Sequence, residues 1–429
     1  MSMNRRDFAS RGAVIAAALA TPAIPRPAGA QTATLRMLSR SHFIPEYEAW
    51  IRRTAERFEA QTGIRVVSEH TAQPELPVRY ARMISSRSGH DVVELTDPFA
   101  MLPLFEEHLA DVSDVANDLG NRHGGWLPIA ADYCRRGGVW RGILNYYQDH
   151  GSCWRRDLFE RVGEGKPESW DDLLRAGRKL KAAGHPLGIQ FSRGADPTAA
   201  HNQILWAFGA SWVAPDGRTP TINSPEAREA LAFAKQLYEE TMTNEVLGWD
   251  DAANNRFMLS GRGAWTLNAP SVYWFGLRQA PQVAPNIYHS LPPRGPRAQI
   301  NYSFVYAYGI WNFSPNVEAA KRWLTFFMEN WMDGFRHVAG YNYPALGNYA
   351  RRPMPVISEI PNLADLQGIP DIARTAGFPG PITAGAAEVT AQFIIPDLFT
   401  RVVRGDNVND SINWAERQIA QILRRASRG

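Results

Sequence analysis

A chain of 429 residues, 45% hydrophobic and 21% charged, has ample apolar material for a packed interior and is too long for a single core, so two lobes or domains are expected. Its formal charge of +3 belongs to the N-terminal stretch: residues 1–30 hold four arginines and one aspartate, and the remainder carries 42 basic and 42 acidic side chains. That balance excludes an electrostatic footprint for nucleic acid or an anionic membrane on the rest of the chain.

The first element is NRRDFASRGAVIAAALA, from Asn4 to Ala20. Arg5 and Arg6 precede a short alanine-rich run, and Ala28-Gly29-Ala30 supplies small residues for cleavage, which is the order of a secretory leader. Arg5-Arg6-Asp7-Phe8 resembles the twin-arginine pattern. The expected partner in export is therefore the twin-arginine translocase, with cleavage after Ala30 and a periplasmic mature chain from about Gln31. The apolar run is shorter than the ~20 residues a membrane-spanning helix needs, and Pro22, Pro25 and Pro27 follow it.

Next, LRMLS predicts a strand, and Pro45 starts a helix in which Tyr47, Trp50, Ile51, Ala55 and Phe58 recur at helical spacing up to the stop at Gly63. IRVVSEH predicts a strand, PVRYARMISS a helix and DVVELT an apolar strand. Strands alternating with helices predict a mostly parallel α/β sheet covered on both faces, with ligands beyond the carboxyl ends of the strands. Ser39 to His42 and Thr96-Asp97 fall at such ends, where capping is the competing role for Asp97. Further on, Ser169 and Asp172 form a capping box ahead of a helix that buries Leu173, Leu174 and Leu180. SWVAPDGRTPTIN predicts two strands about an Asp216-Gly217 turn, and Ser224-Pro225 starts a helix with Ala227, Leu231, Ala234 and Tyr238 inward. NRFMLSGRGAWTLN predicts a helix and then a strand into Asn268. FVYAYGIWNFSPNVEAAKRWLTFFM predicts a strand, a start at Ser314-Pro315 and a helix burying Ala320, Trp323, Leu324 and Phe327.

Cys134 and Cys153 are the two cysteines, 18 residues apart across GGVWRGILNYY; an oxidising compartment permits a bridge, and two buried thiols are the alternative. The ten histidines show neither HExxH nor HxH, so no metal and no other cofactor is expected.

The order of DVVELTDPFAMLPLFEEHLADVS, NYYQDHGSCWRRDLFERVG, PESWDDLLRAGRKL, GRTPTINSPEAREALAFAKQL, FMLSGRGAWTLNAPS and SPNVEAAKRWLTFFM resembles the bacterial extracellular solute-binding protein family 1, the periplasmic components of sugar-type ABC importers. The resemblance covers nearly all of the chain after the leader. It implies an α/β periplasmic-binding-protein fold of two lobes joined by hinge crossovers around a cleft. Carried over, residues 31–145 plus 306–344 make the N-terminal lobe and 146–305 plus 345–429 the C-terminal lobe. Two positions depart from the family pattern: Asn145, where relatives commonly carry proline, and Ser271, where a stacking tryptophan is found in maltose binders.

A sugar cleft needs flat rings for the carbon faces and side chains that donate and accept for hydroxyls. By position, the candidates are Arg40 and His42 after the first strand, Asp97 after the third, and Tyr146, Gln148 and Asp149 on the first crossover. Asn268, Tyr273 and Trp274 follow the GRGAW strand, Tyr302 precedes the second crossover, and Tyr341, Asn342 and Tyr343 come from GYNYP, whose competing role is a packed linker between lobes. Trp206 and Trp265 are expected in the core. The resemblance implies a monomeric non-enzymatic binder that hands a small-molecule solute, a sugar or oligosaccharide, to ABC permease subunits. Other cargoes that stay open are a polyamine, an iron chelate or a phosphorylated polyol. The rival from another class is a secreted glycoside hydrolase, with Asp97 and Asp149 as its paired carboxylates, although no GxSxG, zinc or P-loop motif is present.

Overall fold

Among the described residues, apolar runs without helical spacing become the nine strands of the two larger sheets. The computed structural model describes residues 33–99 and 101–427, so the twin-arginine segment and the cleavage site at Ala30 lie outside the described residues. In chain order the strands are β1 (Thr34–Arg40), β2 (Arg65–Thr71), β3 (Val92–Thr96), β4 (Ile143–Gln148), β5 (Ser152–Arg155), β6 (Leu187–Gly188), β7 (Trp265–Leu267), β8 (Ile287–Ser290) and β9 (Phe304–Ile310). The first sheet has the order β2-β1-β3-β9-β4 and the second β8-β5-β7-β6. β1 runs parallel to β2, from Thr34 opposite Arg65 to Arg40 opposite Thr71, and parallel to β3; β9 runs against β3 and β4. The expected parallel arrangement therefore holds in the first sheet except at β9. The second sheet is mixed, because β5 follows β4 after only Asp149–Gly151 and lies antiparallel to β7 and β8, leaving β6 and β7 as its parallel pair.

The helices that cover the sheets follow from local chemistry. In α1 (Pro45–Thr62) the proline sits in the first turn, Tyr47, Trp50, Ile51 and Phe58 face inward, and Gly63 ends the helix at φ 74°, a left-handed backbone that only glycine adopts without cost. α2 (Leu76–Ser86) buries Tyr80 and Met83. α3 (Trp170–Ala182) carries the expected capping box between Ser169 and Asp172. Then come α4 (Ala195–Ala207), buried along nearly its whole length, α5 (Pro225–Thr241) capped by Ser224, α6 (Ala253–Leu259), α7 (Ser271–Gln279) and α8 (Val317–Glu329). At the C-terminal end α9 (Ala384–Ala391), α10 (Ile394–Val403) and α11 (Val408–Ala426) pack on one another, with α10 also against α4 and α5.

Three details differ from the sequence expectation or resolve it. SWVAPDGRTPTIN forms no pair of strands: a single bridge joins Val213 to Pro220 around a turn closed by the Gly217 amide on Ala214, since Pro215 and Pro220 lack the N–H a ladder requires. α8 starts at Val317 behind Asn316, because the Ser314 hydroxyl is committed to Asp91 (2.6 Å) and accepts the Asn316 amide (3.0 Å). Cys134 and Cys153 are free buried thiols, and burial pushes both thiols well above their ordinary range. Trp206 and Trp265 are core residues as expected. Asn145 is buried at the interface of α1 with β4, its Oδ1 accepting the Tyr47 hydroxyl (3.0 Å) and the Trp331 indole N–H (3.1 Å), a bond set that proline could not supply. No helix among the described residues is long and apolar enough to cross a membrane.

Candidate functional site

The chain crosses between the sheets at Asp149–Gly151, and a cavity of about 560 Å³ opens there, between the carboxyl ends of the first sheet's parallel strands and loops of the second. Arg40 to Phe43 enter it after β1, Ala72 to Pro74 after β2, Phe99 after β3, and Phe304 and Tyr306 from β9. Gln148, Asp149 and His150 come from the crossover. Opposite stand Asp196 at the start of α4, Asp250 and Asp251, Asn255 on α6, Asn268, and Ser271 and Phe275 one turn apart on α7; Tyr341 completes the lining. Six of the thirteen predicted site residues therefore meet here: Arg40, His42, Gln148, Asp149, Asn268 and Tyr341.

The wall from the first sheet is a polar network centred on Arg40. Arg40 Nη2 donates to the Tyr146 hydroxyl (2.9 Å), its guanidinium lies 4.4 Å from the Tyr306 ring centroid, and its backbone N–H donates to Glu94 (2.9 Å). Tyr146 stacks on Tyr306 with centroids 4.6 Å apart. Burial raises the Glu94 carboxyl above its ordinary value, and the Arg40 charge opposes that shift. His42 is held neutral, its pKa lowered to about 3 by burial and then by Arg40. Its Nε2 faces Asn342 Oδ1 (3.3 Å), which also accepts from Gln148 (3.4 Å). Tyr146 and Asn342 thus sit one layer beneath the lining and hold Arg40, His42 and Gln148 in place.

The opposite wall rests on helix ends. Asp251 accepts the first amides of α4, from Ala195 (3.1 Å) and Asp196 (3.2 Å), so a carboxylate sits at a helix N-terminus. Gly194 permits this approach, since a Cβ there would collide with Asp251 Oδ1. Asn268 donates to Asn255 (2.6 Å) and Asn255 donates to Ser271 (3.1 Å), a chain of amides along the cavity floor. Asp149 accepts the Gly151 amide (3.3 Å) on one oxygen; burial lifts its carboxyl, and that of Asp196, well above the usual range.

The remaining candidates are placed elsewhere. Asp97 is buried behind the cavity with both oxygens accepting the Tyr302 hydroxyl (3.0 and 2.9 Å), and burial raises its pKa to about 7. Tyr302 itself stacks on Trp206, centroids 5.5 Å apart. Tyr273 and Trp274 lie on the far side of α7: Ser271 and Phe275, spaced i and i+4, face the cavity, which turns Tyr273 and Trp274 away. Trp274 instead donates to Ala339 O (3.1 Å). Tyr343 forms a bridge with Tyr147, the rings stacking at 5.3 Å, so GYNYP divides between a cavity residue at Tyr341 and linker packing at Tyr343. Asp97 does not line the cavity that Asp149 lines, so the expected pairing of these two carboxylates across one space does not form.

Asp196, Asp250, Asp251, Phe43, Phe99, Phe275, Phe304 and Tyr306 were not among the expected residues. Only the alternation of β9 could have signalled Phe304 and Tyr306, two residues apart on one face. A second cavity, of about 790 Å³, lies against Tyr147, Arg352, Asp371 and Arg374 on the other face of β4. It contains none of the predicted residues, and Arg352 and Asp371 there already pair with each other at 2.8 Å. Among the described residues no cluster of metal-ligating side chains is present.

The model of the family described as bacterial extracellular solute-binding protein matches residues 44–330. Comparison with curated proteins finds no match. Among solved structures, the chain is similar to maltose-bound MalE3 of T. maritima, with a TM-score of 0.78 and 19% identity over 91% of this chain and 100% of that one. It is similar to a sugar transporter from Arthrobacter chlorophenolicus A6 with bound laminaribiose, at 0.78 and 17% over 90% and 99%. A third similar structure is an ABC transporter solute-binding protein from Agrobacterium radiobacter K84 in complex with ribitol, at 0.76 and 16% over 91% and 98%. At these identities the likeness is one of fold, the two-lobe periplasmic-binding-protein fold.

Proposed function

The chain belongs to the bacterial extracellular solute-binding protein family, and we propose that it is the substrate-binding component of an ABC importer, taking a sugar or oligosaccharide into the cleft between its lobes and delivering it to membrane permease subunits. The observation that carries this reading is the cavity between the two sheets, where aromatic faces from Phe43, Phe99, Phe275, Phe304, Tyr306 and Tyr341 meet amide and carboxylate groups able to bond hydroxyls. The maltose, laminaribiose and ribitol named for the three similar structures support the same class of solute. The lobes are residues 31–145 plus 306–344 and 146–305 plus 345–429, closing about the crossovers. Arg40, His42, Gln148, Asp149, Asn268 and Tyr341 touch the solute, and Tyr146 and Asn342 position them. The protein acts as a monomer and binds without turnover. Its leader directs it through the twin-arginine translocase to the periplasm, with cleavage after Ala30.

A thermal-shift screen over sugars and polyols tests the reading, because a solute that binds only the folded chain raises its melting temperature by mass action. The expected hit is recovered chemically unchanged by mass spectrometry after long incubation. A screen without a sugar or polyol hit, or a hit returned as a cleavage product, contradicts it. For export, replacing Arg5 and Arg6 together with Lys leaves precursor in the cytoplasm; undiminished periplasmic protein contradicts the twin-arginine route.

A further inference from the structure

The charges lining the cleft do not balance. Arg40 is linked to Glu94 on its own wall through the Tyr146 hydroxyl, which accepts from Nη2 (2.9 Å) and donates to Glu94 Oε1 (3.4 Å). Of the four aspartates opposite or beside it, Asp250 pairs with Arg256 (2.7 Å) and Asp251 is held by the amides of α4. Asp149 and Asp196 remain. Asp149 is 0% exposed, lines the cavity, and its Oδ1 has no hydrogen-bond partner. Asp196 accepts only the side-chain amide of Asn254, and its charge reaches Tyr341 across the cleft, adding to the burial that raises that phenol. Among the described residues neither carboxylate has a Lys, Arg or His within ion-pair distance.

From this we infer that the solute carries a cationic nitrogen, as an amino sugar does, which docks between Asp149 and Asp196 while its ring faces lie on the aromatic side chains. The inference rests on the cleft being the solute site. A neutral hydroxyl donates one hydrogen bond to a carboxylate and leaves its charge unpaired, whereas an ammonium group supplies up to three donors together with the opposite charge. The walls fit the remainder of such a molecule: Phe304 and Tyr306 offer flat apolar faces, and Asn255 and Asn268 offer amides for hydroxyls.

Matched saccharides that differ only in a hydroxyl or an amino group, such as cellobiose against its 2-amino counterpart chitobiose and glucose against glucosamine, decide the matter by thermal shift and calorimetry on the full mature chain. The expected result is an aminated member bound about tenfold or more tighter than its neutral match, since charge-assisted bonds are roughly twice as strong as neutral ones. Asp149→Asn and Asp196→Asn should each cut that preference. Because Asp149 is fully buried, the partly buried Asp196 gives an independent readout. Neutral members bound as tightly as aminated ones, or no aminated member bound at all, overturns the inference. In the first of these cases the cleft reading survives if Phe304→Ala abolishes the neutral binding; if Phe304→Ala and Tyr341→Ala leave it intact, the cleft reading fails as well.

Discussion

One wall of the cleft links its cation to a carboxylate, and the other holds carboxylates with no cation beside them. On the first sheet, Arg40, Glu94, Tyr146 and Tyr306 hold one another at bonding and stacking distances, with the lining residues supported from beneath by Asn342. Across the cavity, Asp149 and Asp196 have hydrogen-bond donors and no cation. A buried charge linked to its opposite through a hydrogen-bond network is held in place, and one without a counter-charge costs stability until something pairs with it. The contrast assigns the first wall to preorganisation and the second to recognition, and it can be broken from either side.

The largest effect is expected at Glu94. Glu94→Ala leaves the buried Arg40 backbone N–H and Tyr146 hydroxyl without their acceptor and breaks the link to the Arg40 guanidinium, and should cost about 3 kcal/mol in urea denaturation. A cost below about 1 kcal/mol would mean that Arg40 is not held from within its wall. The opposite sign is expected across the cleft. The Asp149 pKa is raised, so the folded state holds its proton more tightly than the unfolded chain, and stability falls as pH rises from the ordinary carboxylate range through the folded value. Asp149→Asn should therefore stabilise the unliganded protein at pH 7 and by much less at about pH 4, where the wild-type carboxyl is already protonated in the fold, as read from urea denaturation at the two pH values.

The histidines act in the other direction and sharpen the comparison at acid pH. His42, His150, His201 and His289 are buried and neutral, each lowered to about 3, by burial first. A lowered histidine contributes stability above its ordinary pKa of about 6.5 that is lost as pH falls towards the folded value. His201, stacked flat on Phe399 with centroids 4.5 Å apart, lies away from the cavity. His201→Leu should make the acid-side slope of stability shallower by about one proton and leave solute affinity unchanged. The smallest effect is at the linker: Tyr343→Phe removes one hydroxyl bond to Leu366 O (3.3 Å) and should cost about 1 kcal/mol of stability with affinity unaltered. Lost affinity there would place Tyr343 in the cleft.

The sequence made the strand ends legible and the side-chain directions beyond them much less so. Arg40, His42, Gln148 and Asp149 could be placed because each closes an apolar strand or stands within two residues of its end, and strand ends of an α/β sheet share one rim. Ser169, Ser224 and Gly63 announced helix boundaries through cap chemistry that is local. Asp97 lies at the same rim, yet the cross-chain partner that withdraws it, Tyr302, is 205 residues away and no local signal encodes the pair. Tyr273 and Trp274 were misplaced for want of the rotational phase of α7, which its packing decides. Asp196, Asp250 and Asp251 escaped notice because they read as loop and helix-start residues, and only the fold brings them to one wall.

The central claim, that solute binds between the two sheets against aromatic faces of the cavity, is tested most directly by calorimetry on four truncations with the solute identified in the screen. Phe304→Ala and Tyr341→Ala should each weaken binding by about 2 kcal/mol, roughly thirtyfold, while Tyr273→Ala and Trp274→Ala, on the far side of α7, should stay within about twofold of wild type. Wild-type affinity for the first pair together with a large loss for the second would contradict the account and move the site to the other face of α7.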